Sequence, residues 1–570
     1  MGNMWRGDEG SPLGKSAFQG TPVKMHSLRW NVLCFLLCLL VFVLFSCSKT
    51  EKSDHSDDDA TPGDDDSFDD DSVADDDSDD GTMRFPDDFL FGAATSGFQV
   101  EMGCPTMSSE LCADPNSDWY QFVTSPATVN DPLAFVTGYD PAQVGPGQWE
   151  LYAQDFDLAA ADGHAAYRLG LEWSRIFPTS TVGLEGYENL RAVANPAAVD
   201  HYHQVFATLR ERGLKPLVTL NHYTLPTWIH DGVGCHTDFR HCSPRGWVDK
   251  DVTVREIAKY AGFVAHEFGG EVDLWTTLNE PFAVLLPGYL LPSPERSNPP
   301  ALFMRFREFK TVMAAMIEAH ARMVDAVRAN DDRDADGDGA AAQVGVVYAM
   351  SPAVPKNPDS EMDRRAAENI FYLWNMVFLN AVALGEFDEN LNGQTVFRDD
   401  LAGRLDFVGL NYYARITVSG LPFSFLPWFS PLLNFNPLTL EFSEVYPRGI
   451  YEMSSLIQEK LGVPAYITEN NSRSDPQDDA EKEMRYLVEQ LSWVWYAIEQ
   501  GVDIRGYFYW SLIDNLEWNQ GPKPYGLYEV DIDDPAKPRT PREIALEYRE
   551  IVQAHGIPPD LAAQYPVDFY

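Results

Sequence analysis

The chain is short of basic residues: 42 Lys and Arg stand against 87 Asp and Glu in 570 residues, a formal net charge of −45. So acidic a chain is repelled by phosphate backbones and anionic headgroups, which excludes nucleic acid as a partner and any membrane attachment through a basic face. Long apolar runs are also scarce. Val32 to Phe45 is wholly apolar, but at fourteen residues it falls below the ~20 that a membrane-spanning helix needs. It follows Lys24 and Arg29 and ends at Leu44-Phe45-Ser46-Cys47, which reads as an export signal rather than a span. Cysteine is sparse too, at seven. Two lie inside the signal-like run and Cys47 closes it, which leaves the close pairs Cys104/Cys112 and Cys235/Cys242. In an exported chain these suit local disulfides. A zinc site is the alternative for the second pair, since His236 and His241 sit inside it.

Between Asp54 and Asp80 there is no Lys or Arg at all, and 15 of the residues are Asp. Such a stretch cannot bury enough apolar surface to offset the entropy of ordering, so it is expected to be an extended, self-repelling tether. The −45 less these 15 leaves −30 on the rest of the chain. The expected organisation is a leader and signal over 1–47, a tether over 48–83 and one folded domain over 84–570.

What the chain has in quantity is a repeating pattern. Eight apolar or β-branched runs recur near 89–95, 165–171, 216–221, 272–278, 344–349, 406–410, 465–468 and 504–510. Stretches with helical spacing separate them, among them Trp149–Ala161, Val252–Phe268 and Lys482–Gln500. Eight strands alternating with helices predict an α/β fold, a single (β/α)8 barrel with long decorated loops. In a barrel of this kind the residues just past the strand ends converge on one mouth. Two runs end on glutamate, Glu280 in TTLNEP and Glu469 in YITENN. Paired carboxyl groups are what glycosidic bond cleavage requires, one to protonate the leaving oxygen and one to stabilise or attack the oxocarbenium-like centre. Gln99, His222, Asn279, Asn411, Tyr413 and Trp510 also fall at strand ends, Asn279 beside Glu280.

Seven segments in order resemble glycoside hydrolase family 1, the β-glucosidase and β-galactosidase family: FGAATSGFQVE from Phe91, YRLGLEWSRIFP from Tyr167, TLNHYTLP from Thr219, TTLNEP from Thr276, NYY from Asn411, ITEN from Ile467 and YWSLIDNLEW from Tyr509. The resemblance implies a retaining exo-β-glycosidase without a cofactor that removes a terminal glucosyl, galactosyl or fucosyl unit from a β-glycoside or oligosaccharide. By residue matching, Glu280 is the general acid/base and Glu469 the nucleophile. Arg168, Tyr413 and Asn411 support the nucleophile, while Gln99, His222, Asn279, Trp510, Glu517 and Trp518 hold the sugar. Glu517 argues against 6-phosphosugars, because a carboxylate repels phosphate. Departures include Tyr223, where many members have Trp, and Asn471, where Gly is usual.

Two other functions fit the same residues: a transglycosidase using the same intermediate, and a surface carbohydrate-binding protein without turnover. Release of an activated leaving group separates the last from the enzymes. The Leu44–Cys47 segment resembles the lipobox of bacterial lipoproteins, which implies a lipid anchor at Cys47 and an outer-membrane or cell-surface location, with periplasmic or secreted enzyme as the alternative. Leu421–Leu440, dense in Phe, Leu and Pro, is expected to pack on itself, to frame a hydrophobic acceptor site or to touch a membrane. Asp332, Asp334, Asp336 and Asp338 lie in DRDADGDG, which spaces Asp as a calcium loop does but carries Gln343 at the twelfth position. Calcium or a solvated acidic turn are the two readings there. Oligomeric state is not legible.

Overall fold

The structure, a computed structural model, describes residues 80–472 and 480–569. The signal-like run, Cys47 and the Asp-rich stretch up to residue 79 lie outside the described residues. Eight parallel strands form a closed barrel: β1 (Leu90–Ala94), β2 (Ala166–Gly170), β3 (Lys215–Asn221), β4 (Leu274–Asn279), β5 (Gln343–Ala349), β6 (Val408–Asn411), β7 (Ala465–Asn470) and β8 (Ile504–Trp510). Each runs beside its neighbour in sequence, and β8 closes on β1, with Gly506 opposite Leu90 and Trp510 opposite Ala94. All eight runs expected from the sequence are strands, with ends that differ by at most two residues.

The strands are buried on both faces because a second layer covers them. That layer includes α1 (Gln148–Ala161), α2 (Pro196–Glu211), α3 (Lys250–Phe268), α4 (Phe306–Asn330), α5 (Val377–Leu384), α6 (Gly449–Leu456), α7 (Ala480–Glu499) and α8 (Glu543–Ala554). Helix α3 shows why these segments are helical. Val254, Ile257, Tyr260, Ala261, Val264 and Phe268 recur at three- and four-residue intervals and are among the residues it buries. Helix α2 starts where Asn195 accepts from the Ala197 N–H and Pro196 supplies a first residue that needs no hydrogen bond.

Inside the barrel, Ala94, Ala166, Leu217, Leu274, Phe407, Tyr466, Phe508 and Trp510 fill the axis, so it is a packed core rather than a pore. Space there is tight. A Cβ on Gly345 would lie 2.6 Å from the Phe407 ring, so only glycine fits that place in β5. Two short strands, Met83–Arg84 and Gly556–Ile557, pair antiparallel and tie the start of the described chain to the segment after α8. Cys104–Cys112 and Cys235–Cys242 are both disulfide-bonded, the local pairing, with Cα separations of 5.9 and 5.0 Å. This removes the zinc alternative for the second pair: His236 Nδ1 faces the Pro300 carbonyl and His241 pairs with Asp238.

Candidate active site

The ladders that align the strands break where the site begins. Register shifts fall between Thr276 and Asn279 of β4, between Leu410 and Asn411 of β6, and between Ile467 and Asn470 of β7. Such irregularities turn a side chain out of the alternation a regular strand would impose. Here they lie beside both glutamates. Glu280 follows β4 at φ 42°, left-handed, with its N–H on the Val347 carbonyl and a five-residue helix, Pro281–Leu285, starting behind it. Tyr223 (φ 75°) and Trp518 (φ 42°) share this unfavourable region. Three bulky non-glycine residues held left-handed around one site show that the surrounding fold fixes the backbone there.

Glu469 is buried and takes two strong donors. Arg168 Nη1 donates to its Oε1 at 2.7 Å and Tyr413 Oη to its Oε2 at 2.8 Å. Burial pushes the Glu469 carboxyl up, to about 7; the charge of Glu280 adds to this, while Arg168 and Tyr413 pull against both. Arg168 is fully buried and spans the site, with Nη2 on Asn279 Oδ1 at 2.7 Å, Nε on Thr219 Oγ1 at 3.2 Å and Nη1 also on the Thr468 carbonyl at 3.1 Å. A guanidinium so fixed can neither turn away nor lose its charge.

Glu280 has neutral partners. Asn411 Nδ2 donates to its Oε1 at 2.8 Å and Tyr223 Oη to its Oε2 at 2.6 Å. This corrects the expectation for Asn411: its amide serves Glu280, because Asn411 stays in register with Ala349 of β5, the strand beside β4, while Thr468 Oγ1 donates to its Oδ1 at 2.7 Å. Asn279 joins the two carboxyl groups, accepting from Arg168 and donating from Nδ2 to Tyr223 Oη and His222 Nε2, each at 3.1 Å. Burial holds His222 well below the usual histidine range, with Arg168 and Arg296 acting in the same direction, so the ring is neutral and accepts that bond. Its Nδ1 is buried without a partner.

The sugar-binding candidates form one wall. His222 stacks on Trp510 at 5.9 Å and on Trp518 at 5.7 Å, and Phe98 and Trp119 back Trp518 at 5.6 and 4.7 Å. Gln99 is tied to the strand leading to Glu517, its Nε2 donating to Asn515 Oδ1 at 3.1 Å and the Leu516 carbonyl at 2.9 Å. Glu517 meets a cation that sequence reasoning missed: Arg296 Nη1 donates to its Oε1 at 3.1 Å, and the guanidinium lies 5.1 and 5.2 Å from the Tyr223 and Trp518 ring centres. Asn519 and Gln520, just past Trp518, fasten the loop bearing Arg296 through the Ser297 N–H and the carbonyls of Pro294 and Glu295. Asn471 donates to the Trp510 carbonyl, so this departure from the family pattern ties β7 to β8.

Beyond Glu280, aromatic rings lead outward. Phe282 packs on Trp374 at 4.7 Å and on Phe309 at 5.9 Å; Phe309 meets Phe429, which with Trp428 packs on Phe306. Phe429 is buried, while Trp428 and Phe423 are each about two-thirds exposed. The apolar loop therefore packs on α4 through Phe429 and Trp428 and on itself through Phe425 and Phe435, 5.0 Å apart, and presents Phe423 and much of Trp428 to solvent.

The acidic turn lies at the other end of the barrel. Asp334 and Asp336 gather with Asp273, which precedes β4 and was not foreseen, while Asp332 and Asp338 are not part of that cluster. Its carboxylates already have partners. Asp273 accepts from the N–H groups of Ala335 and Asp336, Asp334 from those of Gly337 and Gly339, and Lys215 pairs with Asp336. Among the described residues no helix is long and apolar enough to cross a membrane.

A closed (β/α)8 barrel whose mouth brings two glutamates together, Glu469 buried on a guanidinium and Glu280 half-buried, both within a polar network beside aromatic walls, defines a glycoside hydrolase. The model of glycosyl hydrolase family 1 matches residues 81–557, and the chain belongs to that family. It is 35% identical over 520 residues to a β-galactosidase of Pyrococcus woesei, covering 83% of this chain and 98% of that one. It is 28% identical over 496 residues to β-glucosidase A of Thermotoga maritima, covering 83% and 99%. The crystal structure of the β-glycosidase from the hyperthermophile Thermosphaera aggregans superposes with a TM-score of 0.71 at 30% identity, covering 85% of this chain and all of that one.

Proposed function

We propose that Glu469 is the nucleophile and Glu280 the acid/base of a retaining exo-β-glycosidase acting on terminal glucosyl, galactosyl or fucosyl units. The observation that carries the assignment is the unequal set of donors on the two carboxyl groups. Arg168 and Tyr413 favour an ionised Glu469, as attack on the anomeric carbon requires, whereas among the described residues Glu280 has only neutral hydrogen-bond partners. In the first step Glu280 gives its proton to the glycosidic oxygen as that bond breaks, and a Glu469 oxygen bonds to the anomeric carbon. Glu280, now ionised, takes a proton from water, which attacks the same carbon and releases Glu469. Removal of the Glu469 charge in the covalent intermediate is what lets one residue serve as acid and then as base.

Gln99, His222 and Glu517 are read as holding the hydroxyls of the terminal sugar, Asn279 its 2-hydroxyl, and Trp510 and Trp518 its apolar face. The test is nitrophenol release from β-gluco-, β-galacto-, β-fuco- and 6-phospho-β-glucosides by residues 81–570, beside E469Q. Turnover of the uncharged sugars, lost on the order of 10⁴-fold in E469Q, is the expected result. Turnover kept in E469Q removes the assignment. Export and lipidation at Cys47 are part of the same reading, supported by the apolar run, the Leu44–Cys47 segment and the acidic stretch behind it. Loss of membrane fractionation in C47A is expected, and unchanged fractionation sets the anchor aside.

A further inference from the structure

Tyr223 stands where the family resemblance puts Trp, and it does what an indole cannot. A phenol both donates and accepts, whereas an indole N–H only donates. Tyr223 Oη accepts from Asn279 Nδ2 at 3.1 Å and donates to Glu280 Oε2 at 2.6 Å, joining the residue read as the 2-hydroxyl partner to the acid/base. The phenol is held in place for this. Its backbone sits at φ 75°, its ring is tilted against Trp518 at 4.6 Å, and the Arg296 guanidinium, fixed by Glu517, lies over the ring. Burial, with the Glu280 charge adding, keeps the hydroxyl well above its usual range, so it stays protonated and remains a donor.

We propose that Tyr223 is a positioning residue of the acid/base, its hydroxyl aimed at the Glu280 oxygen on which charge develops during departure of the aglycone. This rests on the assignment of Glu280 above. As the proton passes from Glu280 to the glycosidic oxygen, a carboxylate forms between two donors already in place, Asn411 Nδ2 on Oε1 and Tyr223 Oη on Oε2. The benefit grows with the extent of proton transfer. It is small for a leaving group that departs without a proton and large for an alkoxide.

The experiment measures kcat/KM, which reports the first step alone, for dinitrophenyl, nitrophenyl and alkyl β-glycosides of the sugar the enzyme prefers. The proteins are the wild type, Y223F and E280Q. Y223F is expected to lose about 10-fold or more on the alkyl glycoside and no more than about 3-fold on the dinitrophenyl glycoside, in keeping with one hydrogen bond to a charged group. Equal loss on all three would put Tyr223 on the sugar instead, and no loss on any would leave the bond idle; either result overturns the proposal. Dinitrophenyl turnover also reports folding. Should Y223F lack it, Y223M, of similar bulk and without a hydroxyl, is read the same way. E280Q tests the underlying assignment separately: alkyl glycoside cleavage at the wild-type rate there would remove Glu280 as the acid whatever Tyr223 does.

Discussion

The barrel has a carboxylate cluster at each end, and they are built in opposite ways. At the C-terminal ends of the strands, Glu280 and Glu469 are drawn into a network of Arg168, Asn279, Tyr223, Asn411 and Tyr413, with left-handed residues around them. At the N-terminal ends, Asp334 and Asp336 are exposed and gather with Asp273. Backbone N–H groups satisfy them, and Lys215 supplies a cation about a quarter exposed. Both clusters crowd negative charge. The upper one removes water from the charges and fixes their partners, which raises the free energy of the resting site and readies it for chemistry. The lower one buries Asp273, whose carboxyl burial raises to about 6, but leaves Asp334 and Asp336 at the surface and closes a turn.

The comparison is sharpened most by removing the cation from each end. R168M takes away the bond to Glu469 and frees Asn279, and kcat/KM on a nitrophenyl glycoside is expected to fall about 10²- to 10³-fold. Loss of that charge also raises the Glu469 carboxyl further, so the acid limb of the pH–rate profile moves to higher pH. K215M is expected to keep kcat/KM within about 2-fold and to cost about 1 kcal/mol of stability in a melting experiment, as a partly exposed pair does. Equal effects of the two variants on rate would break the distinction between the ends.

How much of this the sequence carried depends on how local the information is. Each strand announces itself in four to seven residues of apolar or β-branched character, and closed-barrel geometry then places Glu280, Asn411, Glu469 and Trp510 together without further information. The two disulfides were legible because each closes a loop of under ten residues. Three things were not. Arg296 sits in a Pro-rich loop with no strand end to mark it, and its meeting with Glu517 depends on how Asn519 and Gln520 fasten that loop. Asn411 was placed on the correct wall but with the wrong glutamate, since the register of β6 on β5 is invisible in a run of apolar letters. Asp273 was overlooked because it joins the acidic turn only across the bottom of the barrel.

A smaller effect separates the ends by pH. The Glu469 carboxyl is raised in the folded enzyme, to about 7, so its contribution to stability is fully present below its unfolded value near 4.5 and is lost as pH rises through 7. E469Q keeps the neutral shape and does not pass through that loss. Its melting temperature is therefore expected to match the wild type at pH 4.5 and to exceed it at pH 8, by an amount equivalent to about 3 kcal/mol. D334N removes an exposed carboxylate held by backbone N–H groups, and its melting temperature is compared over the same range. A melting difference for E469Q that stays flat from pH 4.5 to 8 would show that Glu469 is held no differently from a solvated carboxylate.

The smallest expected effect concerns calcium at the lower cluster. A calcium loop of the full type gathers six to eight oxygens around the ion, including a bidentate glutamate at its twelfth position. This turn has Gln343 there, and its amide donates from Nε2 to Asp338 Oδ2 at 3.2 Å, a donor where the ion needs an acceptor. The turn instead closes on its own N–H groups, and Lys215 already provides positive charge at Asp336. One millimolar calcium should therefore move the melting temperature by less than about 1 °C relative to chelator, about 1 kcal/mol for a chain of this length. The same titration on K215M is the more sensitive arm, since it removes the competing cation. A shift of several degrees in the wild type would mean that Asp273, Asp334 and Asp336 give up their backbone partners for an ion, and the lower end would then be a binding site rather than a closed turn.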